Sequence, residues 1–341
     1  MDEESAPVQA AYKDRRAGLI FFGVVEVLLG IVCFLAVVLF AFVSHMQGHM
    51  AAQGGAARAP FSMMAVLVIY GSLAVFFGWM GVGSMLGRRW ARALMLVASV
   101  FWLVVGVLAV AFTACIMPGA MSAAAGGGGK LPAPAISVAI GITVLFMSVL
   151  FIILPGAFVL FYRSPHVKAT CERLDAKERW TDRAPLPVLG LSLILASYAA
   201  GMLMMLGMRF LPMFGYLAKG PLSLIAALLA AALFGVLAVY TFRRRRWAWV
   251  ASLALGLLWG LSGVVTSLRM TPAEMAGAFS SKDIPPESAR AFQSAMGQHT
   301  WTITAAASVL LLLGYLLYVR KYFWPPVPLA GEAEPVGSPE P

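Results

Sequence analysis

Asparagine does not occur anywhere in the 341 residues. N-glycosylation, which needs that side chain, is therefore excluded. Charge is almost as scarce: Asp, Glu, Lys and Arg together make up 12% of the chain, about half the roughly 25 percent of a soluble domain. With 61% of the residues hydrophobic, no water-soluble fold could hide the apolar surface. Cysteine is limited to three residues: Cys33 midway along an apolar run, Cys115 near the end of another, and Cys171 in a polar stretch. No two of them share a depth at which a disulfide could close. A catalytic or cofactor signature is also missing, and no cofactor is expected.

What is present is continuous apolar sequence. Runs of this kind are stable where lipid replaces water, and there the backbone must satisfy its own hydrogen bonds, which leaves helices or closed barrels. The runs do not alternate, so helices are predicted. The first, Ala17 to Val43, is about twice the length of a signal-peptide core and reads as an anchor that is retained. Taking about 20 apolar residues as one crossing, we place spans at Ala17 to Val43, Phe61 to Leu86, Ala93 to Ile116 and Ala135 to Tyr162. Four more follow at Leu186 to Met208, Leu222 to Thr241, Trp247 to Leu268 and Trp301 to Val319. The fold class is an all-α polytopic bundle of eight spans.

The basic residues test this count, because they gather on the cytoplasmic side of short loops. Of the 25 Lys and Arg, 18 fall on one side of the proposed spans and 7 on the other. A missing or extra helix would scramble that split. Both termini are thus expected in the cytoplasm, and an excess of Arg over Lys fits a GC-rich bacterial genome and its inner membrane. The net charge of +10 reads as a topology signal. It is not a nucleic-acid footprint, since no basic patch is interleaved with aromatics on a soluble domain. The expected partners are the lipid bilayer and a second copy of the chain or another membrane protein.

The third and seventh spans open alike, Arg88-Arg89-Trp90-Ala91 against Arg245-Arg246-Trp247-Ala248. The offset of 157 residues continues through Trp102 and Trp259, Gly106 and Gly263, and Arg163 and Arg320. The pairs Arg89 and Arg246, Trp90 and Trp247, and Trp102 and Trp259 mark an internal duplication. An even number of crossings per copy keeps both copies in one orientation. We therefore divide the chain into a cytoplasmic segment 1–16, a four-helix repeat 17–163, a linker 164–185, a second repeat 186–322 and a Pro/Glu tail 323–341.

In the linker, Ser164 before Pro165 predicts a helix start, with the serine as cap and the proline in the first turn. The segment LPGAFVLFYRSPHVKATCERLDAKERWTDRAPLPVL resembles one found in a family of uncharacterised bacterial multi-pass inner-membrane proteins. The resemblance implies the membrane class and carries no activity or functional residue with it.

One Asp, Glu, Lys, Arg or His lies well inside a span: Glu26, in FFGVVEVLLG. A charge at mid-bilayer costs roughly 2.5 to 3.5 kcal/mol on insertion scales, so such a residue is a functional candidate by default. It either sits protonated against a neighbouring helix or leans toward Arg88, Arg89 and Arg92. The remaining hydroxyls, among them Ser99, Ser148, Tyr198 and Ser262, do not form a predicted hydrophilic path. The glycine pairs Gly83 and Gly87, and Gly256 and Gly260, favour close helix packing. His45 and His49 in HMQGHM, with Cys115 and several Met residues, are weak candidates for a soft metal. The glycines from Gly48 onward predict that the first helix frays before the two His side chains align, so no tight metal site is expected. The last outer loop carries two predicted short helices, starting at Thr271 and Pro286. The function expected is non-enzymatic, through helix packing with a partner or lipid; transport of a small or apolar solute, and enzymatic action on a lipid, are the alternatives.

Overall fold

The computed structural model describes residues 12–52, 63–126, 133–206, 210–270, 274 and 298–324. The predicted loop helices at Thr271 and Pro286, the glycine run 126–129 beyond its first residue, and nearly all of the C-terminal tail lie outside them. Among the described residues, eight helices are long and apolar enough to cross a membrane. This is the architecture of a multi-pass membrane protein.

The helices are α1 Arg16–Ala52, α2 Met63–Met85, α3 Arg89–Gly126 and α4 Ala133–Ser148, the last continuing through a π-helical turn Val149–Ile153 into α5 Leu154–Arg163. After α6 Pro165–Leu174 and a 3-10 turn Trp180–Arg183 come α7 Leu186–Met205, α8 Pro221–Phe242, α9 Arg246–Arg269 and α10 Gln298–Val319. Two spans outrun their predicted ends. The first continues past Val43 to Ala52 and the third past Ile116 to Gly126, so glycine and small residues there weaken the helix without ending it.

The expectation of an all-α fold needs one correction. Between α7 and α8 the chain forms an antiparallel hairpin, β1 Phe210–Met213 with β2 Tyr216–Lys219. Its turn residues Phe214 and Gly215 have φ of 50° and 84°, the paired positive values of a tight two-residue hairpin. The left-handed Phe214 is strained. Its N–H donates to Ser262 Oγ at 3.0 Å, and that of Gly215 donates to Thr266 Oγ1 at 3.0 Å. Two hydroxyls one turn apart on α9 thus hold the tip, while Leu211 is buried in the core of the second half. Backbone outside a helix survives at membrane depth only with such partners.

Two buried clusters organise the bundle. One gathers Leu19, Phe77, Met80, Met95, Phe158 and Tyr162 from the first half; the other gathers Leu191, Leu195, Phe234, Leu237, Trp249 and Leu316 from the second. The helix α7 serves both, since Leu189 joins the first cluster and Val188 and Leu191 the second.

Two turns at one end of the bundle have the same construction. Between α2 and α3, N–H groups of Leu86, Gly87 and Arg88 donate to carbonyls of Val82, Ser84 and Gly83. Between α8 and α9, those of Arg243, Arg244 and Arg245 donate to Val239, Thr241 and Tyr240. Every donor and acceptor is displaced by the same 157 positions, and the left-handed residue is Gly87 (φ 65°) in one turn and Arg244 (φ 54°) in the other. Gly87 is therefore a turn residue, not the helix-packing position its spacing from Gly83 predicts.

Candidate functional site

The helices α1 and α2 approach at glycines. A Cβ on Gly81 would stand 2.6 Å from the Gly23 carbonyl oxygen, and one on Gly30 would stand 3.0 Å from that of Ala74. Backbones this close leave no room for a side chain on either side. Glu26 lies between Gly23 and Gly30, and Ser84 follows Gly81 by three residues, so the same approach turns the carboxyl toward the serine.

The third group arrives from α5. Pro155 has no N–H to offer the carbonyl four residues back, and the π turn Val149–Ile153 precedes it. A Cβ on Gly106 of α3 would collide with the Phe151 carbonyl oxygen, so only glycine fits beneath it. Past this irregular turn, Phe158 and Tyr162 share one buried face of α5.

The three side chains close a triangle. Tyr162 Oη lies 2.6 Å from Glu26 Oε1, Ser84 Oγ lies 3.0 Å from Glu26 Oε2, and the two hydroxyls are 2.9 Å apart. Three contacts need three protons. A neutral carboxyl with two hydroxyls supplies three, whereas a carboxylate leaves the site one short. Glu26 and Tyr162 are 0% exposed and Ser84 1%. The rings of Phe22, Phe158 and Phe161 surround them, with Phe22 stacked on Phe161 at 4.2 Å.

No cation pairs with Glu26 among the described residues. Of the two alternatives for Glu26, the bond to neighbouring helices is the one seen, and a second network engages Arg88 and Arg89. Arg88 faces Asp175 at 3.7 Å and Arg89 faces Asp182 at 3.9 Å, while Arg179 grips Asp175 through Nε at 3.0 Å and Nη2 at 2.9 Å. Hydrogen bonds from Arg179 hold the Asp175 carboxyl below its usual range. The linker therefore works as a clamp on the α2–α3 turn. It also reaches α8 through Trp180 against Phe242, 5.9 Å apart, and the N-terminal segment through Arg173 with Asp14 and through the Arg15 N–H to Thr170 Oγ1 at 3.1 Å.

The linker helix α6 starts at Pro165 as predicted, yet the Ser164 side chain makes no cap hydrogen bond. Cys171 is buried despite the polar stretch around it. It lies on the face of α6 formed by Val167, Thr170 and Cys171, turned into the bundle, and burial pushes its thiol up to about 11.

The other predicted residues fall into packing roles. Trp90 meets Trp79 at 5.0 Å and Trp247 meets Tyr240 at 4.8 Å. Trp102 contacts Phe77 at 5.6 Å, and Trp259 contacts Phe234 at 6.0 Å. Arg246 lies over the ring of Trp324 at 5.9 Å. His45 and His49 share the continuous helix α1, contrary to the expected fraying, although the side chain of His49 is outside the described set. No three His, Cys, Asp or Glu side chains converge among the described residues. Ser84 and Tyr162 are the two site residues that sequence reasoning missed. A signal for Ser84 was present in its spacing from Gly81.

No family model, curated protein or solved structure matches this chain.

Proposed function

We propose that the chain is a non-enzymatic protein of the bacterial inner membrane, built as two parallel four-helix repeats with both ends cytoplasmic, and that it acts by helix packing against a partner protein, a second copy or lipid. The observation that carries this reading is the sealing of Glu26. A group that relays protons or meets a solute has to be reached, and this one is enclosed by its own partners. The shared helix α7, with Leu189 in one core and Leu191 in the other, supports a closed interface between halves. The duplication draws support from the two matching turns and from the Phe77–Trp102 and Phe234–Trp259 contacts, each residue displaced by 157.

Proteoliposomes with an internal pH dye test the reading. Under an imposed pH gradient and membrane potential, wild type should admit protons no faster than protein-free vesicles. A flux present in wild type and abolished in Glu26→Gln would overturn it. A second reading, handling of a small apolar solute, has one specific observation behind it, a cavity of about 220 Å³ within the second half.

A further inference from the structure

The cavity lies among α7, α8, α9 and α10, lined by Leu191, Tyr198, Phe234, Ser252, Trp259 and Leu316 among others, none of them charged. Its inner end is closed: Ser252, Leu191 and Leu316 are buried. Its other end is open, where Tyr198 is 40% exposed and a Cβ on Gly263 would meet nothing within 4 Å. From Ser252 to Gly263 is 11 residues of α9, about 16 Å at roughly 1.5 Å per residue. The space is thus long and parallel to the helices.

The first half shows what fills such a space. At the 157-residue displacement, Ser252 corresponds to Met95, which is 0% exposed in the first core. Ser308, at the open end, corresponds to Phe151, whose ring meets Trp102 edge-on at 6.4 Å. Gly106 lies directly against Phe151, whereas its counterpart Gly263 faces open space. Two large side chains have become serines at opposite ends of one cavity. A second core of this kind, losing two side chains without compensation, would forfeit their packing.

Ser252 adds a second observation. Its Oγ is buried and has no hydrogen-bond partner, although a helical serine ordinarily reaches back to the carbonyl four residues earlier, as Ser99 does to Met95 at 2.6 Å. A buried hydroxyl left alone loses its hydration without replacement, so its position at the floor of an apolar cavity marks where a ligand's polar atom belongs. Apolar cavities of roughly this size stay dry and take up apolar molecules.

We infer that this cavity binds a small neutral amphiphile of the medium-chain alcohol class, with its polar atom bonded to Ser252 and its hydrocarbon chain against Phe234 and Trp259. The absence of charge in the lining excludes an ionised head, and the length and narrowness fit a single chain. The assignment of Met95 and Phe151 as the equivalent filling rests on the proposed duplication.

The test uses the full chain in lipid nanodiscs with n-decanol carrying a chain diazirine. Photolabelling should saturate at one probe per chain, map to segments 252–263 and 305–316, and be displaced by excess n-octanol. Ser252→Ala should weaken labelling about fivefold, the loss of one neutral hydrogen bond. Ser252→Met with Ser308→Phe, which copies the first half, should keep the melting temperature and reduce labelling at least tenfold. Gly263→Leu, which enters open space, should do the same. Labelling that never saturates, that spreads over all lipid-facing helices, or that survives both fillings overturns the site. Labelling lost in Gly263→Leu, but no weaker in the double variant than in Ser252→Ala, leaves the site standing and counts against the repeat correspondence; labelling at the wild-type level in Ser252→Ala and in the double variant overturns the bond to Ser252.

Discussion

A glutamate in an apolar helix acquires its meaning from its neighbours, and at Glu26 these are two hydroxyls and, among the described residues, no cation. The proton count of the triangle makes a direct prediction. Glu26→Gln replaces the carboxyl O–H with an amide N–H and keeps an acceptor, so thermal unfolding in detergent should stay close to wild type. Tyr162→Phe removes one donor and one acceptor, breaks two of the three contacts and leaves Glu26 Oε1 without its hydroxyl partner, and should destabilise by about 1 to 3 kcal/mol. The reverse order, with Glu26→Gln the more damaging, would mean that the carboxylate is ionised. Glu26 itself was legible in the sequence because a charge within an apolar run is conspicuous. Tyr162 was not, since it lies 136 residues away and a tyrosine next to Arg163 reads as an ordinary interfacial aromatic.

At the scale of elements, spans and their order follow from hydropathy and basic residues, while local geometry escapes both. The π turn and the hairpin are examples. Neither Asn-Gly nor Asp-Gly marks the hairpin, and Pro212 within β1 argues against a strand unless it lies at an edge, which a two-stranded ribbon provides. The glycines of α1 and α2 allow a sharper test. Gly81→Leu must push Gly23 away and separate Glu26 from Ser84, lowering the melting temperature well below that of Gly78→Ala, whose Cβ meets nothing within 4 Å. Equal effects at the two positions would show that the close approach does not matter. The linker clamp has its own signature in pH. Because the Asp175 carboxyl is held below its ordinary value, its contribution is complete above the unfolded pKa of about 3.9 and is lost as pH falls through the folded one. The stability difference between wild type and Asp175→Asn, followed by thermal melts, should therefore be constant from neutral pH down to about 5 and shrink below about 4. A difference that persists undiminished in acid would place the clamp's energy elsewhere.

For the whole molecule, the basic residues make the strongest statement. Arg88 and Arg179 meet at Asp175 and Arg89 faces Asp182, while Arg246 and Arg320 both lie over the ring of Trp324. In the sequence 18 of the 25 Lys and Arg fall on that side of the spans and 7 on the other, the asymmetry expected of loops retained in the cytoplasm during insertion. Labelling of introduced cysteines decides the orientation, but Cys171 cannot serve as the reporter. Its thiol is 1% exposed and almost wholly protonated at neutral pH, so it would stay unmodified on either side of the membrane. The reporter has to be exposed at a known end. Lys168, with its side chain 59% exposed on α6, marks the basic end, and Lys219 at the close of the hairpin marks the other. In a background with Cys33, Cys115 and Cys171 replaced by Ala, an impermeant maleimide applied to whole cells should modify Lys219→Cys and spare Lys168→Cys until the membrane is permeabilised. The opposite pattern would invert the protein and remove the cytoplasmic assignment of both termini, and labelling of both sites in intact cells would contradict the eight-span count.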